Sequence, residues 1–228
     1  MNRHSKLIAC VTGIVLSAAA AAQNGGQDAG QFSLRASIAG SVTRGDFLPA
    51  ITGRSALKTD DVYKTARQFS LGFGFALSPE SQVTFDVTRR SAEGKEIALR
   101  SAAIASALSD SRSTSATLGF EYALNGLAQS GFVLGAGIGY ERLDAITVAS
   151  APVANRVLFN KSNGLTADVR AGYQFAVADN ALLKLSVSPT YSAKRKANTA
   201  NAAFLGLGKI VGESSVSVPL NLQFEYRF

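Results

Sequence analysis

The chain has 228 residues, 46% of them apolar, and its 23 Lys and Arg outnumber its 16 Asp and Glu. Its single Met, His and Cys are Met1, His4 and Cys10, so the rest of the chain offers no disulfide, no thiolate or imidazole metal site and no histidine base. After the first 22 residues no apolar run reaches the roughly 18 to 20 residues that a membrane helix needs. Any spanning segments must then be strands.

The N-terminus reads as an export signal. Arg3, His4 and Lys6 are followed by an apolar stretch from Leu7 to Leu16 and by small residues from Ala18 to Ala22, the order of a secretory signal peptide cleaved after Ala22. Leu7-Ile8-Ala9-Cys10 resembles a lipoprotein cleavage box, but the residues before it are mostly polar and provide no apolar stretch. The expected organisation is a signal peptide over 1–22, a short tail over 23–31 and one domain over 32–228.

From residue 32 onward the apolar residues recur with a period of two, the signature of strands with one apolar and one polar face. Eight such segments are predicted. The first sets Phe32, Leu34, Ala36, Ile38 and Val42 against Ser33, Arg35, Ser37 and Ser41. The second sets Phe69, Leu71, Phe73, Phe75 and Leu77 against Ser70, Gly72 and Gly74, and the third sets Val83, Phe85 and Val87 against Thr84, Asp86 and Thr88. The fourth opposes Leu118, Phe120 and Tyr122 to Thr117, Gly119 and Glu121; the fifth opposes Phe132, Leu134, Ile138 and Tyr140 to Gly135, Gly137, Gly139 and Glu141. The sixth has Leu165, Val169, Tyr173 and Phe175 facing away from Thr166, Asp168, Arg170 and Gln174, and the seventh has Leu183, Leu185, Val187 and Tyr191 facing away from Lys184, Ser186 and Ser188. In the eighth, Val216, Val218, Leu220, Leu222, Phe224, Tyr226 and Phe228 alternate with Ser217, Pro219, Asn221, Gln223, Glu225 and Arg227.

The connections alternate in length. Ser78–Ser81, Asn125–Ser130 and Ala176–Asn180 are short and carry turn residues, whereas 43–66, 91–112, 143–163 and 193–213 are long. Most aromatics of the apolar face fall at the short-turn end, while Phe69, Tyr140 and Tyr191 fall at the long-loop end. Two aromatic belts flanking an apolar band describe an eight-stranded antiparallel up-and-down transmembrane β-barrel, all-β in class. A soluble sandwich also alternates, but gives no reason for aromatics to collect at one end.

With its signal peptide, eight alternating strands and a last strand ending Phe-Glu-Tyr-Arg-Phe, the chain resembles the small outer-membrane barrels of the OmpA and OmpX type, over essentially all of the exported portion. The resemblance implies a bacterial outer-membrane location. It also implies an assembly signal at Phe224, Tyr226 and Phe228, read by the barrel assembly machinery. A cell-wall-anchoring role of the kind attached to a periplasmic domain is not implied.

Strand parity sends Arg35, Arg90, Arg170, Lys184 and Arg227 inward together with Asp86, Glu121, Glu141, Asp168 and Glu225, five cations against five anions. An eight-stranded barrel has room for its own side chains or one small ligand, so these ten are expected to form an ion-pair network that plugs the interior. A gated narrow channel, porin-like, is the alternative. The inward glycines either make room for long side chains or leave a water-filled space. With no histidine after His4, catalysis of the kind found in enzymatic barrels is not expected, and neither a metal nor another cofactor is called for.

Excess charge lies in the long loops, which carry 13 basic and 8 acidic residues. Extending the apolar parity of each strand toward these loops places Arg44, Arg67, Arg89, Arg112, Arg142, Lys161 and Arg195 on the lipid-facing side of seven strands. Such a belt suits the phosphates of lipopolysaccharide, because long cationic side chains snorkel to headgroup level and the guanidinium fork grips phosphate. Polar strand ends whose parity drifts are the simpler account. The expected partners are outer-membrane lipids and lipopolysaccharide, the assembly machinery and a surface or host ligand at the loops. Nucleic-acid binding is not expected, and the barrel is expected to be monomeric.

Overall fold

The computed structural model describes residues 30–44, 46–48, 57–98, 105–148, 156–204 and 214–228. The expected signal peptide lies outside the described residues, and only Gly30 and Gln31 of the 23–31 tail fall within them. In chain order the elements are β1 (Phe32–Arg44), β2 (Asp46–Leu48), β3 (Leu57–Lys58), α1 (Thr59–Val62), β4 (Ala66–Ala76), β5 (Ser81–Ala92), β6 (Glu96–Ala98), β7 (Ala105–Ala107) and β8 (Ser111–Ala123). They continue with β9 (Gly131–Leu143), β10 (Ile146–Thr147), β11 (Val157–Asn160), β12 (Ser162–Ala178), β13 (Ala181–Val187), β14 (Thr190–Ser192), β15 (Lys196–Ala197), α2 (Thr199–Phe204) and β16 (Ser215–Arg227).

Eight walls close into a barrel in the order β1, β4, β5, β8, β9, β12, β13 with β14, and β16, which pairs back with β1. Every neighbouring pair is antiparallel. The stagger can be read from the register. From Ser33 the pairs run through Gly74, Thr84, Gly119, Gly137, Asp168, Thr190 and Ser217 back to Thr43, ten residues further up β1. With about 3.3 Å per residue along a strand and about 4.8 Å between strands, that stagger tilts the walls by about 40°, within the range of transmembrane barrels. Closure is completed by the amide of Phe228, which donates to the carbonyl of Phe32 at 2.9 Å.

The outer wall is apolar. Leu34, Ile38, Phe69, Leu134, Ile138, Leu165, Val169, Leu220 and Phe224 are all exposed, whereas the facing polar residues are buried. This inverts the soluble pattern, and only an apolar surrounding makes it stable. At the short-turn end Phe32 stacks on Phe75, Tyr173 contacts Phe132 and Phe175, and Tyr226 contacts Phe228, with ring centroids 4.8–5.2 Å apart. Phe75 is itself buried there, packed against Phe32 within the belt.

The seventh wall is not the single continuous strand expected. Pro189 interrupts it between β13 and β14, since proline has no ladder donor. The break lies beside Pro219 of β16; Ser188 still donates its amide to the Pro219 carbonyl at 3.1 Å, and Asn221 bridges to the Ser188 hydroxyl at 2.8 Å.

The long connections are also more than loops. They contribute β10, β11 and β15 as one small sheet, the pairs β2–β3 and β6–β7, and both helices. Val62, Tyr63, Leu108, Ile146, Val148, Leu158 and Phe159 bury one another over the strand ends at Ala66 and Ala92, with Ala197 packed alongside. The molecule thus has an apolar core above the barrel mouth, a folded cap drawing on all four long connections. At the other end, Leu127 from the β8–β9 turn is fully buried with Ala76, Ala123 and Val133. The Gln174 amide holds that turn in place, donating to the carbonyls of Gly126, Leu127 and Gln129 at 2.6–3.1 Å.

Most inward glycines sit where backbones approach. A side-chain carbon at Gly72, Gly139 or Gly172 would lie 2.2–2.4 Å from a carbonyl oxygen of the neighbouring strand. No Cβ fits between adjacent strands there, whereas at Gly74 and Gly137 the nearest atoms belong to side chains, among them those of Gln82, Asp168 and Arg170, in line with the expected room for long side chains.

Candidate functional site

The barrel interior holds a connected set of charges. Arg35 of β1 donates from Nη2 to Glu121 of β8 at 2.9 Å and to Gln223 of β16 at 3.1 Å. Its Nη1 lies 3.7 Å from Asp86 of β5, and its Nε lies 3.7 Å from Glu225 of β16. Lys184 of β13 bonds Glu121 and sits 2.8 Å from Glu225. Arg227 contacts Glu225 at 3.3 Å, and Arg170 of β12 joins Asp86 at 3.1 Å to Asp168 at 2.6 Å. Eight of the ten inward charges are thereby linked, four cations to four anions.

The linked residues come from β1, β5, β8, β12, β13 and β16, so the contacts cross the lumen rather than follow one wall. Arg35 and Glu225 are 2% and 0% exposed. Charges so far from water are tolerable only with partners on every side. Gln82 adds neutral ties, donating to Glu121 at 2.9 Å and to Glu225 at 3.3 Å. Gln82 and Gln223 share the inward parity of the charged residues, but an uncharged inward side chain carries no sequence signal that it joins the network.

Arg90 and Glu141 stand apart, nearer the long-loop end. Arg90 donates to Thr43 Oγ1, and Glu141 has no ion pair among the described residues. Between them and the lower network is a cavity of about 90 Å³ lined mainly by hydroxyls, including Ser37, Thr88, Ser115, Thr117 and Thr190. A second space of about 70 Å³ lies under the cap, bounded by Tyr63, Arg90, Glu141 and Arg195.

Of the seven residues expected on the outer rim, Arg44, Arg67, Arg89, Arg112, Arg142 and Lys161 are exposed. Arg195 does not join them on the outer rim. Its guanidinium donates to the Asp144 carbonyl at 2.9 Å and to Ser111 Oγ at 2.8 Å, under the cap. The chain leaves the wall after β14 and turns back toward β15, so strand parity no longer applies at residue 195. Burial there lowers the Arg195 pKa from its usual value, and burial raises that of the Tyr63 phenol beside it.

The six remaining cations occupy consecutive positions around the barrel, on β1, β4, β5, β8 and β9 and just before β12. The outward residues of β13, β14 and β16 themselves include no Lys or Arg, but exposed Lys194 lies just past the end of β14. Within it Arg89 lies 3.6 Å from Asp144 and Arg112 2.9 Å from Asp110. Arg44, Arg67, Arg142 and Lys161 have no ion pair among the described residues.

No protein-family model matches the sequence, and no curated protein matches it significantly. The fold, by contrast, has clear counterparts. The chain is similar to Neisserial surface protein A, with a TM-score of 0.50 and 13% identity over 86% of this chain and 97% of that one. It is likewise similar to the outer membrane protein OprG from Pseudomonas aeruginosa, with a TM-score of 0.52 and 17% identity over 89% and 98%. The shared fold is the closed eight-stranded antiparallel barrel.

Proposed function

We propose that the protein is a monomeric integral barrel of the bacterial outer membrane. Its interior is a plug, its rim meets lipopolysaccharide, and its role is structural and interactive rather than catalytic. The observation that carries the plug is the lumen-crossing set around Arg35, Glu121, Lys184 and Glu225. Balanced, mutually bonded charges leave no fixed excess to select an ion, as a conducting filter requires. The cap and the buried Leu127 turn support the same reading, because each lies across one end of the lumen.

The six exposed cations stand where the long connections begin, the outer side if the barrel follows the usual orientation of short turns toward the periplasm. Anionic headgroups of the outer leaflet are their natural partners. The cap is the surface offered to other cells or molecules. Phe224, Tyr226 and Phe228 form the apolar edge of β16, the segment proposed to engage the assembly machinery. The absence of histidine from residues 5–228 supports a non-enzymatic role.

Planar-bilayer recording of the purified protein tests the plug. Silence is expected from the native chain, and discrete, reproducible openings would establish the alternative, a narrow channel for small solutes.

A further inference from the structure

The outer wall has one gap in its apolar surface. Gly40 of β1 is the only outward-facing glycine on the described barrel strands, and a Cβ placed there would meet nothing closer than Thr65 Cγ2 at 4.0 Å. Its lateral neighbours are Leu220 on β16 and Arg67 on β4. Around this notch runs an open groove of about 1260 Å³ whose floor includes Ile38, Leu220 and Leu222 and whose upper end carries Lys64, Arg67 and Lys95.

The groove joins two chemistries along the membrane normal. Its floor is made of side chains that otherwise face hydrocarbon, and its top is cationic. Lys64 pairs with Glu93 at 3.0 Å, but both are more than half exposed, so this pair is weak. Asp110, which also borders the groove, is engaged by Arg112 at 2.9 Å. Lys95 reaches the Asp60 carbonyl at 2.7 Å, and Arg67 has no ion pair among the described residues. A positive excess therefore remains directly above an apolar trough. That combination fits an amphiphile with an acyl chain and a phosphate, not a soluble ligand.

We propose that this groove is a binding site for one lipid A molecule, with an acyl chain in the trough at Gly40 and a phosphate at Arg67 and Lys95. The proposal rests on the reading of the long-connection end as the outer-leaflet side. It goes further in naming one discrete site on the β16–β1–β4 face, rather than general attraction to the rim.

Native mass spectrometry of the folded protein tests it, counting lipid retained after delipidation with bisphosphorylated lipid A, dephosphorylated lipid A or phosphatidylglycerol as the probe. One retained bisphosphorylated lipid A is expected. Gly40→Leu fills the notch without meeting a neighbour at its Cβ, and should lower retention about tenfold. Arg67→Gln, an exposed change that leaves the fold intact, should bring bisphosphorylated lipid A down to the level of the dephosphorylated form. Equal retention in native and Gly40→Leu protein overturns the site, as does equal retention of all three lipids. An Arg89→Gln/Arg142→Gln variant separates this from the rim reading. If it loses total bound lipopolysaccharide while Gly40→Leu does not, the site is refuted and the rim stands. Loss in Gly40→Leu alone supports the site and refutes the rim.

Discussion

Two glycines of this barrel carry opposite expectations, although both lie in strands. At Gly139 an added Cβ would sit 2.2 Å from the Ala116 carbonyl, a backbone atom that cannot swing aside. Gly139→Ala should therefore lower the unfolding midpoint in urea on lipid vesicles by an amount equivalent to about 1 to 3 kcal/mol, the usual cost of overpacking; an unchanged midpoint would show that the strands can separate there freely. Among the charges, Glu121 is one of two acidic hubs, with Arg35, Lys184 and Gln82 all converging on it as they do on Glu225. Glu121→Leu leaves buried cations in excess and is expected to cost about 3 to 5 kcal/mol. Adding Lys184→Met restores four-against-four parity minus one pair, so the double variant should be more stable than Glu121→Leu alone. A further loss in the double variant would mean that the two residues do not act as a balanced pair. Parity in the sequence sufficed to place these charges inside, because alternation fixes which face each residue takes. Which acid meets which base was not legible, since the partners lie on walls far apart in the chain and are brought together by a stagger that only closure determines.

At the level of elements, the eight walls follow the predicted segments closely, and the departures have local causes. β12 runs several residues beyond its expected apolar core because one neighbour continues to offer ladder partners at each end, β9 as far as the pairing of Ser162 with Leu143 and β13 as far as that of Ala178 with Ala181. The seventh wall breaks because Pro189 withdraws a donor. The cap has no counterpart among the predicted elements. Its apolar residues are spread thinly through connections with no period of two or of 3.6, so nothing local marks them as a core; only their meeting over the mouth buries them. That cluster makes a prediction separable from the barrel. Ile146 is fully buried at its centre, so Ile146→Asp should open the cap to protease added outside cells while the heat-modifiable band of the folded barrel persists on a gel. Loss of that folded band would show instead that cap and barrel fold as one unit.

On the scale of the whole molecule, charge is sorted by environment. The lower interior balances internally, the apolar wall carries none, and uncompensated cations gather at the rim, on the walls from β1 to β12 and at Lys194 after β14. Sequence parity predicted a belt on seven strands. Six of these cations are exposed as expected, but Arg195 lies past the end of the wall, and only the folded chain shows it turning inward. A cation near the hydrocarbon boundary costs about 0 to 1 kcal/mol, far less than at the midplane, and gains when an anionic headgroup meets it. Arg67, Arg89 and Arg142 sit on neighbouring or near-neighbouring walls and are exposed, so replacing all three with Gln removes outward charge and only the weak surface contacts of Arg89. In lipopolysaccharide-containing membranes the triple variant should unfold at a lower temperature than the native protein and copurify with less lipopolysaccharide. In neutral detergent the two should unfold alike, because no anion is present to reward the native side chains. An equal drop in both media would assign the arginines to the fold instead of the lipid.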